Sequence, residues 1–144
     1  MSAEQIFPVC NIVAMVGWLL LVVAPRWRVT EWLVISGIWS LVLSLIYFIL
    51  IVIHFPGAEG GFGTLDEVAT LFSNRYLLLA VWVHYLAFDL LVGALEVRQS
   101  KAAGIPHLLL IPVLVLTFML GPIGLVVFFV IKSVRQKKLA EVTA

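Results

Sequence analysis

Two residues of this 144-residue chain combine acid–base chemistry with an apolar setting: His84 and Asp89, in the run Trp82-Val83-His84-Tyr85-Leu86-Ala87-Phe88-Asp89. A carboxyl and an imidazole held away from bulk water can act as proton donor and acceptor towards a bound molecule. Their spacing of five places them about 140° apart around a helix, so they do not stack on one face and no bond between them is implied. Asp89 shares its stripe with Trp82, Tyr85, Gly93 and Glu96. An aspartate near the centre of a membrane-spanning helix costs about 2.5–3.5 kcal/mol on insertion scales, which makes such a residue a candidate for function.

The elements that must position this pair follow from composition. Hydrophobic residues make up 63% of the chain and charged residues 12%, against about 45–50% and about 25% in ordinary soluble domains. Four stretches, 6–24, 32–53, 76–95 and 107–131, have the length and apolar character of membrane spans. A helix is the solution in lipid because it satisfies its own backbone groups, and about 20 apolar residues suffice. The expected fold is an all-α integral membrane four-helix bundle, one transmembrane domain over residues 1–144 with a basic tail at 132–144. The fourth stretch contains Pro112 and Gly121-Pro122. Splitting it at Gly121 would leave pieces too short to cross, so a single kinked span is expected. The first residues, Met1-Ser2-Ala3-Glu4-Gln5, carry no basic run and no small-x-small cleavage site follows, which reads as a permanent span rather than a signal peptide.

The connection 54–75 is the only extended segment outside the spans. Four glycines in 57–63 argue against regular structure there, and Thr64-Leu65-Asp66-Glu67 then forms a capping box. Leu65, Val68, Ala69 and Phe72 follow at helical spacing, so a short amphipathic helix is expected, either a lid over the bundle or simple padding of its end. With four spans both chain ends share one side of the membrane. The basic residues then divide five against four between the sides, and the positive-inside rule gives no orientation.

Composition also excludes functions. A net charge of +1 provides no footprint for nucleic acid. The single cysteine, Cys10, can form neither an internal disulfide nor a thiolate metal cluster. His54, His84 and His107 fall at three different depths, so bis-histidine ligation is not expected, and no metal or other cofactor is implied. Matching depths across the four spans predicts a polar seam of Asn11, Ser40, Ser44, Tyr47, His84, Asp89 and Thr117, walled by Trp18, Trp39, Trp82 and Phe88. The plainer reading of Ser36, Ser40 and Ser44 at four-residue spacing is a helix-packing face, and Gly121 and Gly124 read the same way. The tryptophans and phenylalanines are by default packing or lipid-facing groups.

Residues 82–93 (WVHYLAFDLLVG), 104–107 (GIPH) and 121–132 (GPIGLVVFFVIK) resemble the abscisic-acid-deficient-four-like family, small four-span membrane proteins. The resemblance extends over roughly residues 5–135. Its plant members are associated with synthesis of neoxanthin from violaxanthin, so the resemblance implies a carotenoid or other isoprenoid lipid as ligand and a redox-neutral isomerisation as chemistry. Such an isomerisation needs one acid and one base, and two titratable groups in a low-dielectric pocket suit it: Asp89 as proton donor or base and His84 as its complement, with Tyr47 and Asn11 orienting an end ring. The candidate substrate contacts are Asn11, Trp18, Ser40, Tyr47, Trp82, Tyr85 and Thr117. The compactness of the chain suggests a multi-pass protein of a bacterial inner membrane, in contact with membrane lipid, as a homo-oligomer or within a larger complex. A different class stays open: a non-enzymatic small subunit or pigment-binding accessory protein of a photosynthetic or respiratory complex. A transporter is less suited, since no inverted repeat is visible.

Overall fold

In the computed structural model, which describes residues 1–143 and side chains through Lys137, the chain is entirely helical, with no strand among the described residues. Helix α1 (Ala3–Val23) begins where Gln5 accepts the Ser2 amide at 2.9 Å, carries no charged residue after Glu4 in its first turn, and is followed by Pro25. Helix α2 (Arg28–Thr30) passes into a π-helical turn (Glu31–Ile35), and Gly37, at φ 92°, starts α3 (Ile38–His54). Ser36 stitches this break by donating to the Trp32 carbonyl and accepting the Ile38 amide at 3.3 Å. The expected ladder Ser36–Ser40–Ser44 is therefore interrupted: Ser36 belongs to the break, and only Ser40 and Ser44 lie on a continuous helix.

The connection after α3 carries α4 (Leu65–Leu71), with Thr64 Oγ1 accepting the Glu67 amide at 3.2 Å and Glu67 Oε2 accepting the Gly63 amide at 2.9 Å. Asn74 then caps α5 (Arg75–Ala102), accepting the amides of Tyr76 and Leu77. This helix is the centre of the molecule, packed on one side by α1 and α3 and on the other by the last two helices. Small residues permit the close approach: Ala80, Ala87, Gly93 and Ala94 are all buried on it, and a Cβ at Gly93 would sit 2.7 Å from the Trp18 ring. Among the described residues, three stretches are long and apolar enough to cross a membrane, Ala3–Val23, Arg28–His54 and Arg75–Ala102.

The fourth apolar stretch behaves differently from the single kinked span that its length suggests. It is two helices, α6 (His107–Leu120) and α7 (Pro122–Thr143), separated by Gly121 at φ 41°. The second helix returns along the first. Gly124 packs directly on Thr117, Lys132 donates to Gln99 at the end of α5 (2.7 Å), and Arg135 reaches the Gly104 carbonyl ahead of α6 (3.5 Å). At about 1.5 Å per residue the 14 residues of α6 span about 21 Å, short of the ~30 Å hydrocarbon layer. The pair is thus a re-entrant hairpin, and the C-terminal end of α7 emerges beside the α1–α2 and α5–α6 loops, not beside the start of α1. Gly121 permits this because its left-handed backbone favours glycine and because a side chain there would press on Asp89.

Replacing Gly121 with Ala should cost about 1–2 kcal/mol for the backbone alone, with displacement of Asp89 added. Gly124→Ala should cost about 1–3 kcal/mol by overpacking against Thr117. Thermal unfolding of the purified variants in mild detergent checks both, and wild-type midpoints would mean the two helices are not packed this closely.

Candidate functional site

The stripe of α5 that faces the hairpin carries three polar groups in register: Tyr85, Asp89 and Glu96. Asp89 is only 9% exposed and lies against the hairpin turn, its Oδ1 2.7 Å from where a Cβ on Gly121 would stand. No hydrogen-bond donor among the described residues reaches its Oδ2. One turn earlier, the Tyr85 hydroxyl lies next to this carboxyl and approaches the carbonyls of Phe118 (3.4 Å) and Met119 (3.3 Å) at the end of α6. Two turns further along α5, Glu96 is fully buried, and Thr117 Oγ1 stands 2.9 and 3.0 Å from its two carboxyl oxygens.

The span limits 76–95 place Asp89 inside the third span and Glu96 outside it, and the structure buries both. Glu96 was placed just past the third span, yet α5 continues to Ala102 and the hairpin covers it. The available signal was its position seven residues after Asp89, on the same helix face. Thr117 pairs with Glu96, not at the level of Asp89, because α6 ends at Leu120 and it is the turn that reaches Asp89.

Above the hairpin tip the hairpin-facing side of α5 is uncovered, and a cavity of about 910 Å³ opens there. Phe7 of α1, Leu78, Trp82 and Tyr85 of α5, and Phe72 after α4 line it. Its mouth carries the exposed ion pair Arg75–Glu4 at 2.7 Å. Trp82 is oriented by donating to Asn11 Oδ1 (3.0 Å), whose amide in turn donates to the Phe7 carbonyl (2.9 Å). Phe72 and Ser73, which follow α4, thus stand at the rim of the cavity.

The remaining sequence candidates are distributed elsewhere. His84 lies on an exposed face of α5 between Tyr47 of α3, with ring centroids 5.4 Å apart, and Phe88, at 4.5 Å. Ser40 is buried on α3, and its backbone carbonyl accepts from Ser44 at 2.9 Å. Trp18 is buried against Gly93 and Phe118, the latter at 5.5 Å, and so acts in packing. The structure thus joins Tyr85 with Asp89, sets Thr117 against Glu96 two turns further along, joins Asn11 with Trp82 at the cavity, and pairs Tyr47 with His84 outside these. His54 stacks on Tyr76 at 4.0 Å and His107 Nε2 stands 2.8 Å from the Val22 carbonyl, one at each end of the bundle. No group of three or more His, Cys, Asp or Glu side chains among the described residues is placed to hold a metal ion.

These features define a small helical membrane protein with a buried acidic stripe and an apolar cavity beside a re-entrant turn. The family described as ABA4-like, ABA DEFICIENT 4-like, matches residues 5–128, and the chain belongs to that family. The match covers the three long helices, α6 and the turn at Gly121. No curated protein and no solved structure matches the chain.

Among the described residues, the Thr117 hydroxyl is the one side-chain partner of Glu96. Thr117→Val should lower stability by about 1–3 kcal/mol by leaving a buried carboxyl unsatisfied, whereas Glu96→Gln, which keeps a partner for Thr117, should cost less. Unfolding midpoints of the two variants in the same detergent check this ordering.

Proposed function

We propose that the cavity lined by α1, α5 and the segment after α4 binds one end of a carotenoid or similar isoprenoid, and that Asp89, reached through Tyr85, carries out acid–base chemistry on it. The observation that supports this reading most is the apolar volume of about 910 Å³ lined by Tyr85, whose hydroxyl adjoins the buried Asp89 carboxyl behind the cavity wall. Binding sites for small apolar molecules are typically about 300–1,000 Å³, with few polar groups that set orientation. Family membership favours an isoprenoid, because the plant members it resembles are associated with conversion of an epoxy-carotenoid to an allenic alcohol.

That conversion is redox-neutral. The epoxide oxygen gains a proton as its C–O bond opens, and a polyene carbon loses a proton as the allene forms, so one donor and one acceptor balance the step. Asp89 supplies the carboxyl, and Tyr85, lying between it and the cavity, is the group through which a proton passes to or from the ligand. Trp82, fixed by Asn11, forms a flat wall for an end ring. His84 faces the opposite side of α5, so this reading gives its complementary role to Tyr85. The rest of a polyene would lie along the lipid-facing surface of α5.

The test uses a strain that makes a modified carotenoid. Asp89→Asn should retain bound pigment but lower conversion about 10²–10⁴-fold, the usual contribution of a positioned acid or base. Leu78→Trp, which narrows the cavity, should reduce bound pigment. Pigment profiles equal to wild type in both variants, at normal protein levels, would refute the proposal. Co-migration of pigment-free protein with a larger complex on a mild-detergent native gel would favour the accessory-subunit reading.

A further inference from the structure

The return of α7 gathers the positive charge of the molecule at one end. Arg26 and Arg28 lie in and just after the α1–α2 connection, Arg98 and Lys101 in the last turns of α5, and Lys132, Arg135 and Lys137 along the outer part of α7. Two contacts fix α7 there: Lys132 to Gln99 and Arg135 to the Gly104 carbonyl. The exposed carboxylate given to this end by the described side chains is Glu31, paired with Lys101 at 2.7 Å. The opposite end has one basic residue, Arg75, and four acidic ones, Glu4, Glu59, Asp66 and Glu67. Arg75 is itself paired with Glu4.

We propose that the basic end is a binding surface for anionic lipid headgroups of the cytoplasmic leaflet, and that the cavity therefore opens towards the opposite leaflet. Lys and Arg within about 15–20 residues of span ends set membrane orientation, and acidic residues contribute little. Clusters of such residues are attracted by the negative surface potential of the cytoplasmic leaflet and fall away from it within a Debye length. Seven basic side chains against one is a decisive asymmetry, and it exists only because the fourth apolar stretch turns back. Were that stretch a single span, Lys132, Arg135 and Lys137 would join Arg75. The cavity mouth, marked by Glu4, Arg75 and Phe72, lies at the acidic end. A lipophilic ligand then reaches it from the non-cytoplasmic leaflet. That last step rests on the cavity being the ligand site, whereas the orientation does not.

Cysteine labelling tests the orientation without any ligand, so its failure is distinct from a failure of pigment binding. The native Cys10 is fully buried and gives a silent background. Single variants Phe62→Cys in the long connection, Ala102→Cys at the end of α5 and Gln136→Cys on α7 place thiols at exposed positions without altering charge. In intact bacterial cells expressing the full chain, a membrane-impermeant maleimide should label position 62 and spare 102 and 136. All three should label once the membrane is permeabilised. Labelling of 102 in intact cells, protection of 62, or labelling of both ends would overturn the orientation, and labelling of 136 together with 62 would overturn its structural basis. In vesicles, variants with Arg26, Arg28 and Lys137 changed to Gln should show weaker dependence of orientation on phosphatidylglycerol content. Unchanged dependence would remove the headgroup surface.

Discussion

A chain that reverses direction inside a membrane must satisfy its broken backbone from its own side chains, and the turn at Gly121 meets that demand against α5. Lipid offers no hydrogen bonds, so irregular backbone at this depth is tolerated only where protein surrounds it. Of the carbonyls left open at the end of α6, that of Thr117 accepts the Gly121 amide at 2.8 Å, and those of Phe118 and Met119 face the Tyr85 hydroxyl. Pro122 opens α7 with no amide proton to leave unpaired, and the Asp89 carboxyl lies at that helix start, where the peptide dipoles favour negative charge. The turn and the acidic stripe are in this sense one structure, since each makes the other tolerable in an apolar medium.

From that single arrangement two properties follow. A hairpin that stops at mid-depth cannot cover the outer half of α5, so Leu78, Trp82 and Tyr85 face a cavity and not a fourth helix. The same reversal carries the basic residues of α7 to the end that already holds Arg98 and Lys101. A chemical site and a membrane orientation thus share one cause, the choice between continuing and turning at Gly121-Pro122.

Most of the architecture could be read from the residues alone. The first three apolar stretches, the capped helix after Thr64 and the central place of the segment 82–93 all depend on local periodicity and composition, which a sequence displays directly. The fourth stretch could not be read this way, because a run of 25 apolar residues satisfies a span and a hairpin equally. What separates them is the fit of Gly124 against Thr117 and of Gly121 against Asp89, contacts between residues whose proximity exists only after folding. The assumed fourth span also misplaced Thr117 in depth and divided the basic residues five against four, while ending the third span at residue 95 left Glu96 at a membrane boundary. Asp89 was visible because charge is scarce in such a chain. Its neighbourhood was not, and His84, equally conspicuous in the sequence, stands on the far side of α5 beside Tyr47.

The hairpin is the claim on which cavity and orientation both rest, and a distance between its two outer ends examines it most directly. Spin labels at Leu108→Cys and Val134→Cys occupy exposed positions near the start of α6 and on the returning part of α7. Packed antiparallel helices hold their axes about 8–10 Å apart, so a short separation, under about 20 Å with label lengths included, is the predicted result. A separation approaching ~39 Å, the rise of 26 residues in one continuous helix, would contradict it.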